Sequence, residues 1–232
     1  MEDLKVPLAE HFHSIQGEGA YTGLPMHFMR FPGCTVGRTR ASVYGQSTSP
    51  EQPYFPVLQT GAEAKVCTAF TGQEFWCDTD YEKHEEAPVS QLLNETFETA
   101  VCFTGGEPLM HQQKPWFKLL LTETKAAVHV ETSGTIVPLF EFDWLTVSPK
   151  HGWLPEAVAK ADQVKFLITA DTKLEKLFEV LEHASPGVLV YLSPVFDPNQ
   201  LVQANLERCF EILKTRPDWM LGCQWHKFLG LR

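Results

Sequence analysis

Three cysteines, Cys34, Cys67 and Cys77, set the chemistry this chain can attempt. They bracket residues 35–76, a segment with Ser47-Thr48-Ser49-Pro50, prolines at 53 and 56, and no hydrophobic period, which reads as loop. A loop of that length inside a compact domain is functional or disordered, and thiols at both ends favour function. Three thiolates hold three irons of a four-iron cluster and leave the fourth open to an exogenous ligand, whereas an electron-transfer cluster takes a fourth cysteine. Two other readings compete. The thiols could be buried as small hydrophobes, or a histidine such as His84 could complete a zinc site.

Other polar groups sit where a ligand could meet them. In Ser14-Ile15-Gln16-Gly17-Glu18-Gly19, Gln16 offers an amide, and Glu18 can accept two N–H donors from the edge of a guanidine-like heterocycle. The alternative is an ordinary hairpin. Arg30, near the end of a strand-like run, is either a surface charge or a bidentate clamp for a carboxylate. Glu107, after Thr104-Gly105-Gly106, can accept from an ammonium or hydroxyl, and the double glycine lets backbone approach a ligand closely.

These groups need a scaffold, and the hydrophobic pattern supplies one. Residues 26–31, 101–103, 127–131, 144–147, 164–168, 188–192 and 219–221 read as strands. Residues 89–97, 115–123, 174–183 and 200–214 read as helices. Alternating strands and helices imply parallel βαβ units. Polar tips recur at 104–108, 132–135, 148–150 and 193–195, where the strands end. Ligands of parallel α/β folds gather at those ends. We therefore expect one domain over 1–232, with residues 35–76 as an elaborated loop.

Bulk composition narrows the function classes. The chain has 232 residues, 44% of them apolar, with a formal net charge of −10, which argues against broad nucleic-acid binding. No apolar run reaches membrane-spanning length and no signal peptide is legible, so the expectation is a cytoplasmic protein without a membrane partner. Six cysteines in that setting read as ligands or core packing rather than disulfides.

Taken in order, several motifs resemble the radical S-adenosylmethionine enzymes, and within them the 7-carboxy-7-deazaguanine synthase family. They are Ser14-Ile-Gln-Gly-Glu-Gly19, Arg30-Phe-Pro-Gly-Cys34, Cys77-Asp-Thr-Asp80, Thr104-Gly-Gly-Glu-Pro108, Glu131-Thr-Ser-Gly134, Ser148-Pro-Lys150 and His226-Lys227. The resemblance implies a partial parallel (β/α) barrel, a 4Fe-4S cluster, S-adenosylmethionine, Mg²⁺, an external one-electron reductant and a homodimer. It implies ring contraction of 6-carboxy-5,6,7,8-tetrahydropterin to 7-carboxy-7-deazaguanine with release of ammonia. By resemblance Cys34, Cys67 and Cys77 hold the cluster. Trp76, Asp78, Gly106, Glu107, Ser148, Pro149, Lys150, Ser193, Pro194, Val195 and Phe196 fall on the cofactor side. Ile15, Gln16, Gly17, Glu18, Arg30, Thr104 and the terminal Arg232 fall on the substrate side, and Thr79 matches the Mg²⁺ ligand.

One departure stands out. The family pattern is C-x3-C-x2-C, and here the spacers run over residues 35–66 and 68–76. Lengthening a loop tenfold adds only about 2 kcal/mol of closure entropy, so the spacing is affordable if the fold holds both ends. The rival enzyme reading is a radical enzyme that activates a protein partner, which leaves Ile15-Gln16-Gly17 and Thr79 unexplained. The rival outside enzymology is a zinc-stabilised interaction module built on the same thiols.

Overall fold

The computed structural model describes residues 3–39, 65–77, 79–82, 84–96, 99–197 and 200–230. Asp78, Arg232 and most of the 35–76 segment, together with the side chain of Trp76, lie outside what is described. The chain builds one eight-stranded sheet. Its strands are β2 (Glu10–Ile15), β3 (Pro25–Phe31), β8 (Ala100–Gly105), β9 (Ala127–Thr132), β10 (Trp144–Val147), β11 (Gln163–Ile168), β12 (Leu189–Pro194) and β15 (Met220–Leu221). The spatial order is β15-β12-β11-β10-β9-β8-β3-β2, parallel throughout except for the antiparallel β2–β3 pair. A short strand β1 (Lys5–Leu8) pairs with β7 (Glu85–Pro88) beside it.

Strand β8 shows why these runs form strands. Val101 and Phe103 point into the core shared with the helices, whereas Ala100 and Cys102 point to the other face, against Met26 and Phe28. A central strand buried on both sides is apolar without alternation. The helical layer follows the same logic. Helix α2 (Pro115–Glu123) opens on proline, whose fixed φ suits the first turn. It buries Trp116, Phe117 and Leu120, setting the Phe117 ring 5.4 Å from Phe103 and the Trp116 ring 5.5 Å from Phe31. The helix before it, α1 (Val89–Glu95), buries Val89 and Leu92.

The sheet is strongly curled. In a flat sheet β2 and β11 would stand five strand spacings apart, about 24 Å. Yet Glu18, just after β2, forms an ion pair with Lys165 of β11. The Ala20 amide donates to Gln163 of β11 at 2.9 Å, and Tyr21 packs edge-on against His129 and Trp144 at 4.5 and 4.9 Å. The turn between β2 and β3 therefore reaches across the curl. The C-terminal helix α6 (Trp225–Leu229) meets it there, with the Trp225 amide donating to the Gly17 carbonyl at 3.0 Å. This is the partial barrel expected from sequence, open between β2 and β15.

The segment read as loop ends in regular structure. Strands β4 (Arg38–Thr39), β5 (Lys65–Thr68) and β6 (Glu74–Trp76) form a small antiparallel sheet, and Thr71-Gly72 makes the β5–β6 turn with Gly72 at φ +88°. Periodicity could not reveal strands of two to four residues. The helix expected over 200–214 begins later, at Gln203, because Gln200–Leu201 pairs back onto Phe196–Asp197. The N-terminal residues 5–15, unassigned from sequence, form β1 and β2. Among the described residues no helix is long and apolar enough to cross a membrane.

Candidate active site

One cavity lies inside the curl, and the tips of the parallel strands form its rim. Cys34, Cys67 and Cys77 share one part of its wall. Cys67 is the middle thiol, interacting electrostatically with both Cys34 and Cys77. The Cys34 thiol is pulled down to about 6, first by its hydrogen bond with Cys67 and then by the Val36 and Gly37 amides, with burial opposing. The Gly37 N–H reaches its Sγ at 3.1 Å. Cys67 itself is pushed upward by both neighbouring thiols and by burial. Three sulfur donors together, one already inclined to ionise, suit a thiolate-ligated metal cluster.

The fold, rather than local spacing, places Cys67. The β5–β6 hairpin docks on the tips of β10 and β11: Ala69 bridges to Lys150, and the His151 amide donates to the Thr68 carbonyl at 3.1 Å. Phe70 packs on Phe166 at 5.2 Å, and Thr169 donates to Gln73. The first thiol is held differently. A Cβ on Gly106 would strike the Gly33 carbonyl oxygen, and Gly105 sits at φ +115° against the Phe31 backbone. With both side chains absent, the Glu107 amide donates to Gly33 O at 2.9 Å and the Gly106 amide to Phe31 O at 3.0 Å. The Gly33 amide donates in turn to Tyr81 O at 2.7 Å. The double glycine thus clamps the strand tip that precedes Cys34, and both glycines line the cavity.

Most of the remaining sequence-read residues meet here. Ile15, Gln16, Gly17, Glu18, Arg30, Thr79, Thr104, Gly106, Ser148, Lys150, Pro194, Val195 and Phe196 all line the cavity. Arg30 donates through Nη1 to Thr79 Oγ1 at 2.9 Å, approaches Glu10 at 3.4 Å and lies 5.6 Å from the Phe12 ring centroid. Gln16 and Thr104 converge on one carboxylate, donating to Glu131 Oε1 at 3.0 Å and Oε2 at 3.4 Å. Lys150 donates to the Ser148 carbonyl and hydroxyl at 3.1 and 2.7 Å, and burial pulls its ammonium down to about 8.

Three expected contacts fall elsewhere. Glu107 does not line the cavity. It is wholly buried and accepts from Leu109 N, Thr132 Oγ1, Ser133 N and Ser133 Oγ, so its carboxylate is committed to tying two strand tips together. Burial raises its pKa while those donors lower it. Pro149 is absent from the lining, as is Ser193, which is buried beneath Gly222. Glu18 does line the cavity, yet its carboxylate engages Lys165 and accepts from Gln224 Nε2 at 2.7 Å, so it is less open to a ligand edge than its turn suggested.

Sequence reasoning missed Lys165 as a site residue and gave Lys227 no role. Both line the cavity with Arg30 and Lys150, against the carboxylates Glu18 and Glu131. Four cations and two carboxylates make this an electropositive pocket in a chain of net charge −10, which favours an anionic occupant.

Glu107→Gln tests the buried clamp. Whichever oxygen becomes the NH2 would face a backbone N–H that can only donate, Leu109 N or Ser133 N, leaving at least one buried donor unpaired at about 1–3 kcal/mol. The midpoint of chemical denaturation should fall accordingly. A variant as stable as the parent would mean that the carboxylate does not hold the tips.

No protein-family model matches the chain. Among curated proteins, it is 31% identical over 235 residues to the 7-carboxy-7-deazaguanine synthase of Synechocystis sp., covering 97% of this chain and 93% of that one. It is 27% identical over 243 residues to the protein of that name from Escherichia coli (strain K12), covering 98% and 100%. It is also 31% identical over 210 residues to the one from Thermoplasma acidophilum, covering 82% and 81%. Among solved structures it superposes on the crystal structure of QueE from Escherichia coli with a TM-score of 0.64 and 26% identity, covering 96% of this chain and 95% of that one.

Proposed function

The chain belongs to the 7-carboxy-7-deazaguanine synthase family of radical S-adenosylmethionine lyases, and from that premise we propose how its residues divide the work. The reaction is the ring contraction of 6-carboxy-5,6,7,8-tetrahydropterin to 7-carboxy-7-deazaguanine with loss of ammonia, a step of queuosine and related deazapurine biosynthesis. The observation that carries the reading is the meeting of Cys34, Cys67 and Cys77 in the wall of a cavity that also holds Arg30, Gln16 and Thr104.

The donor set fits a cluster with one open iron: three sulfurs together, with Cys67 between the other two. Cys34, Cys67 and Cys77 would hold the cluster, which together with S-adenosylmethionine would supply the radical chemistry at the substrate. The chain's own part is orientation, charge compensation and exclusion of water. Gly105 and Gly106 present bare backbone to the cavity for the cofactor's methionine half, and Ser148 and Lys150 line the same cavity. Val195 and Phe196 add apolar surface to the same wall for its adenine. Gln16, fixed by Glu131, reads the amide edge of the pterin, and Thr104 shares that carboxylate. Arg30 pairs with the substrate carboxylate.

Thr79 is the Mg²⁺ ligand in this reading. Its hydroxyl now accepts from Arg30 at 2.9 Å, and a guanidinium so close opposes a second cation. An anionic carboxylate between the two resolves that repulsion, so Mg²⁺ binding should depend on substrate. Thr79→Val should then lose most of the Mg²⁺ stimulation of turnover and keep S-adenosylmethionine cleavage. A variant that responds to Mg²⁺ like the parent removes Thr79 from the role. A cytoplasmic homodimer fed by a flavodoxin- or ferredoxin-like reductant completes the proposal. The deciding experiment is anaerobic incubation of the iron-reconstituted protein with 6-carboxy-5,6,7,8-tetrahydropterin, S-adenosylmethionine, Mg²⁺ and a one-electron reductant. Mass analysis should find 7-carboxy-7-deazaguanine; cofactor cleavage without it would assign the radical to another substrate.

A further inference from the structure

The β2–β3 hairpin has two faces of different character. Phe12, Phe28 and Arg30 line the cavity. Side chains alternate along a strand, so His11 and His27 point the other way, towards the end of helix α1. There they meet Glu95: His11 Nδ1 lies 3.3 Å from His27 Nε2 and 3.6 Å from Glu95 Oε2. These three ligand atoms all fall within 4.8 Å of one another.

We propose that His11, His27 and Glu95 form a second metal site, for a divalent transition ion of which Zn²⁺ is the best match, separate from the cavity and stapling α1 to the β2–β3 hairpin. Zinc bonds of about 2.0–2.1 Å to nitrogen and oxygen place neighbouring tetrahedral ligands about 3.3–3.4 Å apart. The separations of 3.3 and 3.6 Å lie close to that edge length. Two imidazoles and a carboxylate are a familiar zinc donor set, with a solvent molecule taking the fourth position. His11 and Glu95 are partly open, at 31% and 38% side-chain exposure, so an ion has a route in.

The surrounding hydrogen bonds prepare the donor atoms. Thr96 Oγ1 donates to Leu92 O at 2.7 Å, so it accepts from His27 Nδ1–H at 3.1 Å. That fixes the tautomer and leaves the bare lone pair of His27 on Nε2, facing His11. Gln91 Nε2 donates to Glu95 Oε1 at 2.9 Å, which leaves Oε2 turned to His11. His13 takes no ligand role. Its Nε2–H donates to the Glu95 carbonyl at 2.6 Å while its ring lies tilted 4.5 Å from that of His27, pinning the helix end. Without metal, the His11 Nδ1 proton is shared between His27 and Glu95. With metal, that proton moves to His11 Nε2 and the ion takes its place.

The test uses the iron-loaded protein, because zinc also binds free thiols. After equilibration against buffered zinc at micromolar free concentration, one zinc per chain should remain beyond the iron. Zinc-edge X-ray absorption should show a first shell of nitrogen and oxygen only, and the thermal midpoint should rise. His11→Ala and Glu95→Gln should each weaken zinc binding at least ~10–100-fold, the range seen even for outer partners of metal ligands. Iron content and turnover should stay at parent levels in both variants. Both positions are partly exposed, so neither substitution threatens the core as one at His27 would. Sulfur in the zinc shell, no retained zinc, or parent-like affinity in either variant overturns the proposal.

Discussion

Cys67→Ala should give a folded protein that neither assembles a complete cluster nor cleaves S-adenosylmethionine, with iron content and cluster absorbance collapsing together. Cys34→Ala and Cys77→Ala should behave alike, whereas Cys102→Ala should keep both properties. The contrast rests on placement. Cys67 lies between the other two thiols in the cavity wall, while Cys102 is wholly buried among Met26, Phe28 and Ala100, and burial holds its thiol protonated. Cys209 is likewise buried, on α5 (Gln203–Thr215), within the main core. Normal iron loading and cofactor cleavage in Cys67→Ala would show that some other group is the third ligand.

Arg30→Ala carries the second large effect. A charge-assisted bidentate contact is worth on the order of 2–3 kcal/mol, so kcat/KM for the carboxylated pterin should fall roughly 30–150-fold. Iron content should not change, because among the described residues Arg30 hydrogen-bonds to Thr79 and pairs with Glu10, neither of which is a thiol. Cofactor cleavage uncoupled from product should persist. Parent-like kcat/KM would remove Arg30 from carboxylate recognition.

How much of this could be read beforehand depended on the range of the contacts involved. The parallel strands and their polar tips were legible because burial on both faces of β8 to β12 leaves apolar runs that end in glycine, serine or threonine. Gln16, Arg30 and Thr104 were legible for the same reason: each stands at a strand end or turn. Lys165 was not. In Val164-Lys165-Phe166 it is one polar residue in a strand, and only the curl that brings Glu18 to β11 gives it a role. Glu107 was placed at the right tip but with the wrong partners, since Thr132 and Ser133 come from the neighbouring strand tip. The anchoring of Cys67 by Ala69–Lys150 and Phe70–Phe166 is equally nonlocal, which is why a long spacer upstream leaves it undisturbed.

The contact of Gln224 with Glu18 joins residues 206 positions apart in sequence. Contacts of such separation raise contact order and form late. At about 5–20 residues per second of synthesis, Gln224 leaves the ribosome some 10–40 s after Glu18 does. For about the last 7–30 s of that interval, after Cys77 has emerged, all three thiols have been made but the wall that encloses them has not. A nascent chain can therefore present its sulfurs to iron delivery while they are still open. The segment that carries Gln224 and Lys227 completes part of the chamber wall, so radical chemistry has to wait for its synthesis.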